Sequence, residues 1–360
     1  MTQKENKKCR LVFFSSGDFP YYTIEQLLKF ELYDIVGIVT SEYKSETIGK
    51  TIAELANEYD IPCIKIHKNE ELKSDDVLTW LRDKEADVFC VISFKFLPNE
   101  VLSIPKIASF NIHASLLPFL RGAAPIYWAI RHNFKYTGLT SFILDEHIDT
   151  GDIITNIRIP IVENETYGTL YNKLSIACIG FTVDTISRIY RHDDWKRYLL
   201  LQPDCGINSP YSKAPKLDAS SMRLNLDSLE HNIKEDRAKE TYSLLRALSP
   251  NIGCNASLIV YQKVQDESDV EIKRFDIKIY DSEYLSDANI NTQDVVKYRN
   301  NQYSNTVTDG KNYMYIMSSD LKHGIAIKEL QIAGKKKMSI KDFLMGFQYS
   351  RMKDKYIKIV

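Results

Sequence analysis

Short apolar runs separated by amphipathic stretches set the pattern of the first 205 residues. Residues 11–14, 35–40, 63–66, 88–93 and 108–112 are rich in β-branched and aromatic side chains and read as strands. Between them, residues 24–30, 51–59 and 75–84 carry apolar positions at helical spacing, with Ser74 or Asp75 placed to cap the last of these. Strands alternating with helices predict a mostly parallel sheet with covering helices. A short helix at 124–131, strands at 140–145 and 153–160, and a long amphipathic helix at 169–190 complete this part. Residues 202–221 are rich in Pro, Asp, Ser and Lys without periodicity, which predicts a linker. A helical pattern over 226–248 follows, then β-rich segments at 256–261, 271–280, 313–318 and 325–331, which predict a small β-barrel. The expected organisation is an α/β domain over 1–205, a linker over 206–222 and a barrel-like domain over 223–360.

The chain's 360 residues exceed one ordinary core, in keeping with two domains. Hydrophobic content of 44% with 26% charged residues describes a soluble globular protein. The longest apolar runs, such as 35–39 and 88–92, are too short to cross a bilayer. Residues 1–10 are polar and lysine-rich, unlike a secretory signal, so a cytoplasmic location is expected. The cysteines Cys9, Cys63, Cys90, Cys178, Cys205 and Cys254 are scattered, and the histidines show no ligand spacing. Reduced thiols and no metal are therefore expected. Net charge is −1 but uneven: residues 206–360 hold 24 basic against 20 acidic side chains, and the last forty hold 10 against 3. A basic second domain suits a polyanionic partner, with a solvated lysine surface as the alternative.

Chemistry concentrates in Asn111-Ile112-His113-Ala114-Ser115-Leu116-Leu117-Pro118, followed by Arg121-Gly122-Ala123-Ala124-Pro125. An apolar strand runs straight into this polar stretch, and strand ends are where open α/β sheets place ligands. Asn111 and His113 are two apart, so both point to one face while the chain stays extended. An imidazole can donate to an oxyanion or move a proton, and a neutral amide can donate without competing for that proton. Asp149, in Glu146-His147-Ile148-Asp149-Thr150-Gly151-Asp152, lies just past another strand. A carboxylate beside His113 would favour the imidazolium and could accept a proton from an attacking amine. Spacing alone does not choose among Asp145, Glu146, Asp149 and Asp152. Ser15-Ser16-Gly17-Asp18 holds one glycine where a dinucleotide fingerprint needs three. Trp80, Trp128 and Trp195 lie in or beside helical stretches and read as packing residues.

These motifs resemble the signature of the folate-dependent formyltransferases. Val12-Phe13-Phe14-Ser15-Ser16-Gly17-Asp18-Phe19 is similar to that family's first strand and loop, and Val91-Ile92-Ser93-Phe94-Lys95-Phe96-Leu97-Pro98 to its pterin-pocket strand. Lys213-Ala214-Pro215-Lys216-Leu217 and Arg246-Ala247-Leu248-Ser249-Pro250 are similar to its linker and first C-terminal helix, so the resemblance spans essentially the whole chain. It implies a Rossmann-like formyltransferase domain with a C-terminal barrel of oligonucleotide-binding type. It also implies a catalytic trio of Asn111, His113 and Asp149, and a folate contact along Ser115, Leu116, Leu117 and Pro118. The implied reaction transfers formyl from 10-formyltetrahydrofolate to the α-amine of methionine on initiator tRNA; nothing in the sequence demands more than a monomer.

Three positions depart from the family. Phe94-Lys95 replaces an aromatic-glycine pair, residues 41–50 form a shorter loop with only Lys44 and Lys50 basic, and 249–253 lacks a tryptophan. Arg121 is open to binding a phosphate or the folate tail, or to bracing its own loop. The rival readings are a sugar-nucleotide N-formyltransferase, which shares the signature, and a non-catalytic RNA-binding protein using only the barrel. Glycinamide ribonucleotide formyltransferases lack a second domain of this size.

Overall fold

Five parallel strands and two antiparallel ones make the first sheet of the computed structural model. The structure describes residues 7–41, 50–202, 211–224, 235–264, 269–286, 306–318, 321–347 and 355–360. The strands are β1 (Arg10–Ser15), β2 (Asp34–Thr40), β3 (Cys63–Lys65), β4 (Val88–Ile92), β5 (Ala108–His113), β6 (Tyr136–Ile143) and β7 (Ile153–Pro160). Their order is β3-β2-β1-β4-β5-β6-β7, with β6 and β7 antiparallel to their neighbours. Every residue of β4 is buried, as a parallel strand covered on both faces requires. The direction of strand addition reverses at β1 and β4, and the crevice beyond the carboxyl ends at such a point is where this architecture binds ligands.

The helices are α1 (Tyr21–Lys29), α2 (Ile52–Glu58), α3 (Asp75–Asp83), α4 (Asn99–Leu102), α5 (Pro125–Arg131) and α6 (Tyr167–Arg191). Thr51 and Glu54 form a reciprocal capping box at α2, and the Ser74 hydroxyl accepts the Val77 amide at α3. None of the described helices is long and apolar enough to cross a membrane. The strand expected at 140–145 instead spans Tyr136–Ile143. Pairing with β7 extends it back to Tyr136, opposite Pro160. Its end is set by Asp145, whose carboxylate accepts the His147 amide and the Thr150 hydroxyl and so turns the chain.

The second sheet is antiparallel: β8 (Cys254–Gln262), β9 (Val270–Leu285), β10 (Thr306–Thr308), β11 (Met314–Met317), β12 (Gly324–Ile332), β13 (Met338–Ser339) and β14 (Lys355–Ile359). The order β10-β11-β12-β9-β8-β14 brings its two edges together, where the Ile359 amide donates to the Thr306 hydroxyl at 2.9 Å, giving a nearly closed barrel. Lys355 and Lys358 flank Tyr356, Ile357 and Ile359, which are buried against β8. Five residues interrupted by lysines give a weak strand signal, and pairing overrides it. Helix α8 (Ile340–Phe347) is likewise absent from the sequence expectation.

The chain divides into two compact units, one of Met1–Ala129, Lys135–Ile161 and Leu170–Lys216, the other of Ile130–Phe134, Val162–Thr169 and Leu217–Val360. Helix α7 (Glu235–Leu248) belongs to the second, and the rest of the helix expected from 226 lies outside the described residues. Its buried Arg246 donates to the Glu165 carbonyl at 2.9 Å and to the Asn133 side chain at 2.7 Å, tying both short excursions to the barrel's helix. Burial lowers the Arg246 pKa from the ordinary arginine value, so these acceptors hold the charge in place. Hydrogen bonds to a charged group contribute about 1.5–3 kcal/mol each. Arg246→Met is therefore expected to destabilise the second unit by about 3 kcal/mol, read as a lower denaturant midpoint for barrel unfolding; an unmoved midpoint contradicts this.

None of the described cysteines Cys9, Cys63, Cys90, Cys178 and Cys254 forms a disulfide, and Cys205 lies outside the described residues. Burial pushes the Cys178 thiol up to about 11 and the Cys254 thiol up to about 12. The thiolate is the reactive form. Maleimide at mildly alkaline pH should therefore leave both unlabelled in the native protein and modify both in denaturant, as peptide mass mapping would show.

Candidate active site

Strand β5 carries Asn111 and His113 on one face, opposite Phe142 and Thr140 of β6. His113 is 6% exposed, and its Nε2 donates to the Leu120 carbonyl at 2.8 Å. Its Nδ1 faces the Asp149 Oδ2 at 3.6 Å, beyond a hydrogen bond and within ion-pair range. Both ring nitrogens therefore face oxygen atoms, one of them at hydrogen-bond distance. Asn111 is half-buried, and its side-chain amide makes no hydrogen bond to any described residue. It is the open donor of the group.

Asp149 is the carboxylate of the four candidates that lies within 4.0 Å of His113 among the described residues. Asp145 is spent on its own turn. Asp149 sits at φ 56°, in the left-handed region that aspartate tolerates better than most side chains. Its Oδ2 accepts the Gly122 amide at 2.8 Å. A Cβ on Gly151 would fall 1.8 Å from the Ile143 carbonyl oxygen, so this loop hugs the end of β6 as only glycine permits.

The signature loop is fixed from below by Thr140, whose hydroxyl donates to the Ser115 carbonyl at 2.7 Å and accepts the Leu117 amide at 3.1 Å. The Ser115 hydroxyl donates to the Phe119 carbonyl, and Leu117 packs on Phe142 and Ile153. Ser115, Leu117 and Pro118 are buried, which leaves half-exposed Leu116 as the side chain of that segment nearest to solvent. The expected linker does unexpected work here. Residues 211–214 lie along the loop as a strand would: Leu120 and Arg121 donate to the Tyr211 and Ser212 carbonyls, and Ala214 donates back to Arg121 at 2.7 Å. Gly122 has φ +120°, and a Cβ there would lie 2.7 Å from the Ala214 oxygen.

Of the roles left open for Arg121, bracing is the one observed. Its Nε and Nη2 donate to the Gln202 Oε1 at 3.1 and 2.6 Å. Gln202, the Leu120 carbonyl and the 211–214 strand are site features that the sequence reading missed. A glutamine in a polar, aperiodic stretch carries no signal, and backbone contacts carry none at all. Lys95 donates to the His67 carbonyl at 2.8 Å, which ties its ammonium to the protein. Most of the 41–50 loop lies outside the described residues. Among the described residues, no group of three His, Cys, Asp or Glu side chains could hold a metal ion.

Residues 9–178 match the family model described as Formyl transferase, and residues 233–348 the one described as Formyl transferase, C-terminal domain. The chain is 32% identical to a methionyl-tRNA formyltransferase of Azobacteroides pseudotrichonymphae, over 95% of its own length and 97% of the relative's. It is 30% identical to the protein of that name from Bacteroides thetaiotaomicron, over 95% and 96%. Among solved structures, the sugar 3N-formyl transferase WlaRD, crystallised with dTDP and 5-N-formyl-THF, shares the fold at a TM-score of 0.53 and 17% identity, covering 92% of this chain and all of that one.

Gly122 combines a left-handed backbone, a close carbonyl and the amide that holds Asp149. Gly122→Ala should cost about 1–3 kcal/mol of stability and release that carboxylate. The expected result is a lower melting temperature with activity reduced more than about tenfold at saturating substrate. A variant with unchanged turnover would contradict the placement of the loop.

Proposed function

The chain belongs to the formyl transferase family, and we propose that it carries the formyl group of 10-formyltetrahydrofolate to the α-amine of methionine on initiator tRNA. The acceptor follows from relatives of that name aligned over nearly the full length of both chains. What supports the chemistry is the open Asn111 amide on the same strand face as a histidine set against a carboxylate.

In this reading the methionyl amine attacks the formyl carbon and its carbonyl oxygen becomes an oxyanion. Asn111 donates to that oxygen. His113, on the same strand face, is the second group at that oxygen, its ring set between the Leu120 carbonyl and Asp149. Asp149 holds His113 in place and takes the proton lost by the amine, directly or through a water. The bond from the formyl carbon to the folate nitrogen then breaks, that nitrogen is reprotonated, and formyl-methionyl-tRNA leaves with free tetrahydrofolate. Ser115 to Pro118 contribute to the folate site mainly through the backbone and Leu116. No metal takes part, and the enzyme works as a cytoplasmic monomer beside the tRNA it serves.

The test is an acceptor assay with 10-formyltetrahydrofolate, offering methionyl initiator tRNA and a nucleotide-linked aminosugar in parallel. The mass of one formyl group in place of a hydrogen should appear on methionine alone; formylated aminosugar with unmodified tRNA would overturn the acceptor. Removing one oxyanion donor typically costs about a hundredfold or more in rate. Asn111→Ala and Asp149→Asn are each expected to lose about that much turnover while still binding folate, and near-normal turnover in either would remove that residue from the site.

A further inference from the structure

We propose that Gln202 is a positioning residue for catalysis, setting the place of Asp149 from the main-chain side; this rests on the role given to Asp149 above. Gln202 stands in the polar stretch after α6, 53 positions from Asp149, yet its side chain reaches the catalytic loop. Its amide nitrogen donates to the Asp149 carbonyl at 3.0 Å and to the Gly151 carbonyl at 2.8 Å. Its amide oxygen accepts two hydrogen bonds from Arg121. A primary amide has two donors and two acceptor sites, and here all four are used.

The arrangement needs this side chain. Asp149 sits at φ 56°, a left-handed backbone that carries a cost in any residue but glycine, smaller for aspartate than for most, and that restraints on the loop help to hold. Two restraints hold it: the Gly122 amide on the carboxylate, and the Gln202 amide on the backbone of the same residue and of Gly151. Arg121 fixes Gln202 in turn, while its own backbone is paired with Ser212 and Ala214. Asp149 is thereby held at its carboxylate and at its backbone, with the Oδ2 3.6 Å from the His113 Nδ1. A glutamate could still accept from Arg121 but would turn an acceptor oxygen towards two carbonyls. A leucine would fill the space and hold nothing. Gln202 needs no contact with substrate to act in this way.

The test compares Gln202→Leu and Gln202→Glu with Asp149→Asn in the full-length enzyme, using the formyl transfer assay. A displacement of about 1 Å at a reacting group can cost about a hundredfold in rate. Both Gln202 variants are expected to lower kcat about 10- to 100-fold, with KM for the folate donor and for the tRNA within about twofold of wild type. In an Asp149→Asn background the added Gln202→Leu change should cost less than about twofold, because its effect runs through the residue already lost. If the leucine variant does not fold, the isosteric glutamate variant carries the comparison. Full kcat in a folded Gln202 variant beside an inactive Asp149→Asn overturns this proposal alone. An undiminished Gln202 penalty in the Asp149→Asn background also overturns it. Full turnover in Asp149→Asn overturns the site reading and this proposal together.

Discussion

One hydrogen bond, from the Gly122 backbone amide to the Asp149 Oδ2, joins the two loops from which the site is built. The link from Arg121 through Gln202 to the Asp149 and Gly151 carbonyls is the other tie between the loop after β5 and the loop after β6. Much of the surrounding chemistry follows from the Gly122 contact. Gly122 must be glycine because its backbone is left-handed and Ala214 lies against it. Asp149 must leave the ordinary backbone regions to present its carboxylate to that amide. The same oxygen is then within 3.6 Å of His113, whose other nitrogen is already committed to Leu120. A carboxylate, an imidazole and a glycine amide form one unit, and Asn111 stands beside it with its amide unclaimed by any described residue.

The parallel sheet makes this arrangement possible. Strands buried on both faces give a rigid floor, and all of their variable chemistry is pushed to the loops at their ends. The change from parallel to antiparallel at β6 matters as much. It brings Thr140 opposite His113 and lets a single hydroxyl hold the Ser115–Leu117 backbone from beneath. Residues outside the proposed trio thus decide where its members stand.

How much of this could be read in the sequence depends on the range of the interaction. The sheet was legible because β-branched runs alternate with helical spacing, and nearly every strand of the first unit lies within a few residues of its expected place. Asn111 and His113 were legible because strand periodicity fixes their common face. Asp149 was not separable from Asp145 by spacing, since each lies in the same acidic turn; the difference is that Asp145 bonds within its loop and Asp149 across to Gly122. Gln202 and the 211–214 strand were illegible for a deeper reason. Their partners are backbone atoms far away in sequence, and no pattern of side chains announces such a contact. The β14 strand was hidden by its own lysines.

The central claim is that the reacting carbonyl lies against the face of β5 that carries Asn111 and His113. A crystal structure of the enzyme with 5-formyltetrahydrofolate tests it most directly. The formyl oxygen should lie about 3 Å from the Asn111 side-chain nitrogen, with Asp149 still on the Gly122 amide. A formyl group bound away from β5, with Asn111 facing solvent, would contradict the account.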